Sequence, residues 1–221
     1  MPTNTQMVIA RHKEDTTWSN QFPNKVIYNK YSGNNLLPNV GRESHTYLHH
    51  IIENHHDLAD ITIFCQGSTA EHLSGDEYQK LKDVYKNGFK GQFLAFGQDG
   101  SDKIDLFEDY IKYVFFSENG IVTPTGETIV LWDHWKVKGA KLEYDEEIKN
   151  LRVSPREIHC KWAAIFAVKK ESIRNRNPEF YKKLLKLVDW DNAPLGAHFL
   201  ERVWKYVFLN YEMPFKLKIA Q

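Results

Sequence analysis

Residues Asn39–Ser68 read NVGRESHTYLHHIIENHHDLADITIFCQGS. Apolar Tyr47, Leu48, Ile51 and Ile52 recur at helical spacing, with Leu58 closing the stripe, which predicts an amphipathic helix behind a glycine-containing turn. Ile61, Ile63 and Phe64, β-branched or aromatic and running into Gly67, predict a buried strand after it. A turn, helix and strand of this kind form half of an α/β layer when earlier strands precede them. In open α/β sheets ligands sit beyond the carboxyl ends of the strands. Two places of that sort follow here: the turn before the helix and the Cys65-Gln66-Gly67-Ser68 tip.

The flanking sequence alternates in the same way. Met7-Val8-Ile9-Ala10 predicts a buried first strand that ends in the polar cluster Arg11 to Asp15. Lys25 to Lys30 predicts a second strand. Ser74-Gly75-Asp76-Glu77 opens a helix that Asn87-Gly88 stops. Phe89 to Asp105 reads as an irregular loop with one strand near Gln92 to Phe96. Leu106 to Ser117 has helical spacing, and Thr128 to Trp132 reads as a strand ahead of the aromatic run Trp132-Asp133-His134-Trp135. Lys161 to Val168 reads as a second buried strand. Short helices follow over Glu171 to Arg176 and from Pro178, a residue tolerated at a first helical position, to Val188. Leu195 to Leu209 predicts a last amphipathic helix carrying Phe199, Leu200, Val203, Trp204 and Val207 on one side. The expectation is one α/β domain over residues 1–221, a mixed and mostly parallel sheet flanked by helices.

Composition narrows the function classes. The 29 basic and 29 acidic residues balance, and no Lys/Arg block exceeds a short pair, which argues against nucleic acid as a partner. Two cysteines far apart in sequence suit free thiols in a reducing compartment. The start of the chain has no apolar leader, and no run is long enough to span a bilayer. The expectation is a soluble, cytoplasmic protein. Six tryptophans suit either a packed core or a sugar-binding cleft.

Several constellations are candidates for chemistry. Glu14 and Asp15 beyond the first strand read either as ligands to a ribose or base edge or as a solvated loop. Arg11 and, at a helix start, Arg42 are of the type that holds phosphate; Arg42 also suits a surface pair with Glu43. His45 and His49, one turn apart, form half of a zinc site without a third ligand at a diagnostic spacing, or else a polar helix face. No Gly-x-Ser-x-Gly elbow occurs. Asp189 and Asp191 have the spacing of divalent-ion ligands but stand between helices, where capping is the ordinary use. Glu201 lies in an otherwise apolar helical stretch, so it is either paired, with Arg202 as one partner, or a proton acceptor of raised pKa.

VIARHKEDTTW at 8–18, IYNK at 27–30, LPNVGRESHTYLHHII at 37–52, DITIFCQG at 60–67, AIFAVKKESIRNRNPEFYKKLL at 164–185 and ERVWKYVF at 201–208 carry a resemblance. In these blocks the chain resembles a family of uncharacterised proteins from fungi, bacteria and large DNA viruses. That family looks like a divergent branch of GT-A glycosyltransferases. The resemblance implies a nucleotide-sugar donor, a glycan acceptor and inverting transfer. It implies that Ala10, Arg11, His12, Glu14 and Asp15 contact the nucleotide and that Asn39, Gly41 and Arg42 flank the diphosphate. It places Gln66, Gly67 and Ser68 where such enzymes carry Asp-x-Asp, so Mn²⁺ or Mg²⁺ is either held elsewhere, with Asp99 or Asp102 as candidates, or replaced by cationic side chains such as Arg11, Arg42 and Arg202. Glu201 falls where inverting members carry the base, and Trp132, Trp135, His159 and Trp162 to Val168 would wall the acceptor side. The rivals are a non-catalytic carbohydrate- or nucleotide-binding module on the same fold and a metal-dependent hydrolase built on the histidine-rich helix.

Overall fold

The computed structural model describes residues 4–103, 121–122, 128–129 and 157–209. In chain order these contain β1 (Thr5–Arg11), a 3-10 turn (Thr17–Gln21), β2 (Lys25–Asn29), α1 (Arg42–Asn54), β3 (Ile61–Gln66), α2 (Thr69–His72), α3 (Gly75–Asn87), β4 (Phe93–Phe96) and β5 (Asp99–Lys103). There follow β6 (Ile121–Val122), β7 (Thr128–Ile129), β8 (Glu157–Lys161), β9 (Ile165–Lys169), α4 (Lys170–Arg174), α5 (Pro178–Leu185) and α6 (Leu195–Phe208). Cα packing divides the chain into two compact units, residues 1–100 with 160–210 and residues 101–159 with 211–221. In the second, β6 and β7 pair antiparallel. The expected helix over Leu106 to Ser117 lies outside the described residues.

The first unit is built on a five-stranded sheet of order β2-β1-β3-β9-β4. β1 runs parallel to both β2 and β3, and β9 is antiparallel to β3 and to β4. Four of the five strands therefore point one way, which makes the sheet mixed and mostly parallel as expected. Helices cover both faces, so strand residues of both parities are buried, and this is why the strands read as continuous apolar runs rather than alternating ones. On one face Met7, Ile9, Ile61, Ile63, Ile165 and Ala167 pack with Leu81 and Val84 of α3. On the other, Tyr47 of α1 meets Phe64 and Phe166, and Phe166 in turn meets Trp204 and Phe208 of α6. Each such ring removed from water contributes about 1.5–3 kcal/mol.

Two local departures from the expected elements matter for the site. Leu58 is buried, but α1 ends at Asn54, so Leu58 closes the core from the connection and not from the helix. Lys161 to Val168 is not one strand. β8 ends at Lys161, Ala163 and Ala164 take φ of 82° and 50°, and β9 begins at Ile165. Left-handed backbone in two consecutive alanines costs of order 1–3 kcal/mol each and persists only where surroundings hold it.

The turn ahead of α1 is held from outside. Gly41 has φ 62°, and its N–H donates to Asp191 O at 2.6 Å while the Arg42 N–H donates to Asn192 O at 3.0 Å. A Cβ on Gly41 would stand 2.6 Å from Val188 O and 2.7 Å from His45 Cβ. Gly41→Ala therefore meets both left-handed strain and backbone overlap, and urea unfolding should show a loss of about 2–3 kcal/mol. A change within about 0.5 kcal/mol would mean that this turn relaxes freely.

Candidate functional site

The connection leaving β1 runs to β2 on one side, and the connection leaving β3 runs through α2 and α3 toward β4 on the other. Between the carboxyl ends of β1 and β3 the strand order thus reverses, the place where open α/β sheets form their ligand crevice. Because β9 is antiparallel, its amino-terminal end, with Trp162 and Ala163, arrives at the same edge.

Much of the first loop's polarity is turned inward. The Arg11 side chain donates from Nε to Glu14 O at 2.8 Å and from Nη1 to Asn29 Oδ1 at 2.9 Å, tying the ends of β1 and β2 together. Glu14 Oε2 accepts the backbone N–H groups of His12 and Lys13 at 2.6 and 3.1 Å. Its carboxylate lies directly on Gly67, where an added Cβ would fall 2.6 Å from Oε2. Trp18 Nε1 donates to Gly67 O at 2.7 Å, joining the segment after β1 to the tip of β3. Asp15, two residues ahead of the 3-10 turn's first residue, accepts from the Thr17 backbone N–H and hydroxyl, and these bonds hold its carboxyl below the usual range. Ala10 is buried in β1, and Asn39 is exposed ahead of α1. Tyr31, 62 % exposed, borders His12 and lies under the Lys13 ammonium, 4.2 Å from its ring centre.

A second group converges from α1, β3, β9 and α6. Glu201 Oε1 accepts the Ala163 N–H at 2.9 Å, and Gln66 Nε2 donates to Ala163 O at 2.5 Å. Both backbone polar groups of Ala163 are thus engaged by side chains, at the left-handed break between β8 and β9. Glu201 Oε2 faces His198 Nδ1 at 4.0 Å, and Arg42 Nη1 reaches His198 Nε2 at 3.3 Å. Arg42 Nε also stands 3.6 Å from Glu43, whose carboxyl is buried and pushed up by that burial, with the Arg42 charge opposing and the Glu201 charge adding to the rise. Beneath it, burial pushes the Lys30 amine down to about 8, and Lys30 Nζ donates to Val40 O.

Gln66, Gly67, Arg42 and Glu201, expected from sequence, therefore gather at one sheet edge, with Glu14 and Arg11 alongside. Asn39 remains on the exposed loop. Trp132 and Trp135 lie outside the described residues, as do the side chains of Asp102, His159 and Arg202. Trp162 is half-buried, its N–H donating to Gln98 O at 3.1 Å. Arg42 makes the Glu43 pair that was its alternative reading, but the burial of Glu43, the place of His198 and the Ala163 backbone contacts were not expected. The i, i+3 spacing of His198 and Glu201 was the available signal for His198. A glutamate in a helix's first turn reads as a solvated dipole partner, and an Ala-Ala pair inside an apolar run reads as strand.

The donor set at the β3 tip does not fit Mn²⁺ or Mg²⁺. Such ions require several hard oxygen ligands. Gln66 and Ser68 carry no charge, Glu14 Oε2 already accepts two N–H groups, and Asp99 is paired with Lys161 at 3.0 Å. His45 and His49 stack 6.5 Å apart, and among the described residues no group of three His, Cys, Asp or Glu can hold a metal ion. A cavity of roughly 410 Å³ opens at the other edge of the sheet, between Asp60, Asn87, Phe89, Gln92 and Lys169. It brings together no set of groups comparable with the Glu201 cluster.

Fold and site together define an α/β layer with polar groups gathered at the carboxyl ends of its parallel strands. Residues 7–86 match the profile of a family described as protein of unknown function (DUF3431). No curated protein and no solved structure matches the chain. Among the described residues no helix is long and apolar enough to cross a membrane.

Proposed function

We propose that this chain is a nucleotide-sugar-dependent glycosyltransferase that moves a sugar, with inversion, from a nucleoside-diphosphate donor to a hydroxyl of a glycan acceptor. The observation that carries this reading is the Ala163 backbone, its carbonyl held by Gln66 and its N–H by Glu201, which sets a carboxylate at the sheet edge where ligands of α/β layers bind. Glu201, held by the Ala163 N–H, is the group that takes the acceptor's proton. The acceptor oxygen forms its bond to the anomeric carbon as the bond to the diphosphate breaks on the opposite side. Arg42, whose half-exposed guanidinium pairs with Glu43 and reaches His198, is suited to charge-assisted bonds with the departing phosphates. The helix N–H groups of Gly41 and Arg42 already have carbonyl partners, so the guanidinium, not the helix terminus, supplies that contact.

A thermal-shift and product-NMR panel of UDP-, GDP- and dTDP-sugars, with Mn²⁺ and with EDTA, tests this. A true donor at 100 times its Kd adds about 2.7 kcal/mol of stability. One donor should stabilise the protein in EDTA and release free sugar slowly. No stabilisation and no release across the panel would remove the transferase reading.

A non-catalytic nucleotide- or sugar-binding module is the second reading. It is favoured by the Glu14 carboxylate seated on Gly67 and by the inward commitment of the Arg11 guanidinium. It predicts stabilisation by a donor without release of sugar under any metal condition.

A further inference from the structure

Successive backbone N–H groups aimed at one point make a seat for an anion. The N–H groups of His12 and Lys13, just past the end of β1, both donate to one oxygen, Glu14 Oε2, at 2.6 and 3.1 Å. The same oxygen lies against Gly67 at the β3 tip, where an added Cβ would fall 2.6 Å from it. Gly67 is not in the left-handed region, so the glycine is needed there for space and not for backbone conformation. The seat therefore already holds an anion, the protein's own. That anion is held by little. Among the described residues the two N–H groups are its only hydrogen-bond partners, and no lysine, arginine or histidine pairs with it. Arg11 directs its guanidinium to Glu14 O and Asn29 Oδ1, and the Lys13 ammonium lies over the exposed Tyr31 ring, 4.2 Å from its centre.

We propose that the His12 and Lys13 N–H pair is a phosphoryl site in which the Glu14 carboxylate is a built-in competitor, displaced from Gly67 by a phosphoryl group of the nucleotide. A carboxylate ligand brings nothing to these N–H groups that Glu14 does not supply at higher local concentration. A phosphoryl group brings more charge and further acceptor oxygens. Those oxygens draw the Lys13 ammonium off Tyr31, because an exposed cation–π contact is weaker than a charge-assisted hydrogen bond. Lys13 is exposed and Glu14 half-buried, so the exchange does not disturb the core. Assigning the phosphoryl group to a sugar donor rests on the transferase reading; the anion seat itself does not. Glu14 is then not a ligand of the ribose but the group that the phosphate replaces, and its return to the seat helps expel the spent nucleotide.

The test follows both partners by ¹⁵N amide and ¹³C carboxyl NMR of the full chain, with the Glu14 carboxyl signal assigned by its loss in Glu14→Gln. The probes are UDP, GDP, dTDP, uridine and inorganic phosphate. One nucleoside diphosphate should move the His12 and Lys13 amide signals and the Glu14 carboxyl signal together, inorganic phosphate should do so more weakly, and uridine should leave them in place. Glu14→Ala should bind that diphosphate about 10-fold more tightly, the gain from removing a competitor that holds the seat about nine-tenths of the time. Gly67→Ala added to Glu14→Ala should reverse the gain, because its methyl stands where the phosphoryl oxygen sits. The NMR measurement uses the unmodified protein, so it decides the matter even where a variant loosens the loop. A Glu14 carboxyl signal unmoved by every probe overturns the inference, and so does a folded Glu14→Ala protein that binds no more tightly. Displacement by inorganic phosphate as readily as by any nucleotide overturns the assignment to the donor. A sugar donor turned over while the Glu14 signal stays in place overturns the inference and leaves the transferase reading. Displacement by a nucleoside diphosphate, with no sugar released from any UDP-, GDP- or dTDP-sugar, instead removes the transferase reading and leaves the phosphoryl site standing.

Discussion

Glu201→Gln is expected to leave fold and donor binding intact while lowering transfer by about 10²–10⁴-fold, the usual contribution of a positioned base. The amide has the size of the carboxylate, and its carbonyl oxygen can still accept the Ala163 N–H now bonded at 2.9 Å. What it cannot do is accept a proton. Glu201→Ala is the contrasting lesion, because it leaves the Ala163 N–H without its acceptor beside two left-handed alanines. That variant should also lose about 1–3 kcal/mol of stability, the ordinary penalty for a shielded donor left unpaired. Product NMR for the rate and urea unfolding for the stability separate the two effects. A Glu201→Gln protein that turns over donor at the original rate removes the base role. A rate loss accompanied by an equal stability loss in both variants would make Glu201 a structural clamp on the β8–β9 break and nothing more.

The sheet was legible because its signals are local. β1, α1 and β3 follow from apolar spacing in short windows, and burial by helices on both faces makes β1 and β3 continuous apolar runs. Glu201 could be singled out as a carboxylate in an otherwise apolar helical stretch, and Gln66 by its place at the end of a strand. The grip that joins them could not, since it passes through the backbone of a residue 97 positions from Gln66 and 38 from Glu201. No local propensity encodes such a contact, and Ala163 and Ala164 by type favour neither the left-handed region nor a break. The diphosphate role expected of the α1 turn shows the same limit. Gly41 and Arg42 are where the pattern put them, but the Asp191–Asn192 loop, some 150 residues later, occupies their N–H groups. Asp189 and Asp191, read as a capping or divalent-ion pair, instead serve His45 and the Ala193 N–H.

The second large effect is on stability, and it comes from the histidine-rich helix. His45 and His50 are 4 % and 2 % exposed, and the pKa of each is pushed down to about 4. For His45 burial leads, the Lys30 charge adds to it, and Asp189 at 3.3 Å opposes. The opposition is the weaker because the Asp189 side chain is 52 % exposed and its field is screened by solvent. For His50 burial again leads, followed by His49, and bonding geometry agrees with it. Nδ1 lies 3.1 Å from Tyr28 Oη and 3.3 Å from Asn54 Nδ2, so a proton there would displace the Asn54 N–H and require the Tyr28 hydroxyl to turn and accept. A protonated His45 would place a new N–H at Nδ1, which is buried without an acceptor.

The sign of the pH effect follows. The unfolded chain takes up these protons near pH 6.5 and the folded chain only near pH 4, so the stabilisation is complete above about 6.5 and is lost as pH falls toward 4. At pH 5 each histidine contributes a loss of about 2 kcal/mol relative to pH 7, about 4 together, against a total of about 5–15 for a typical domain. Glu43 works the other way, because a carboxyl with a raised folded pKa gains relative stability as pH falls. Asp15 and Asp60 have lowered pKa values, so what they contribute is lost only below about 3.8, outside this window. Lys30, at about 8 when folded, is protonated in both states between pH 5 and 7. A difference between proteins therefore isolates the histidines better than a single curve. In urea unfolding, the original protein should lose about 2 kcal/mol more than His50→Met between pH 7 and pH 5. Equal losses in the two proteins would mean that the His50 ring accepts its proton inside the fold, and that α1 is not sealed against the sheet as Tyr28 and Asn54 imply.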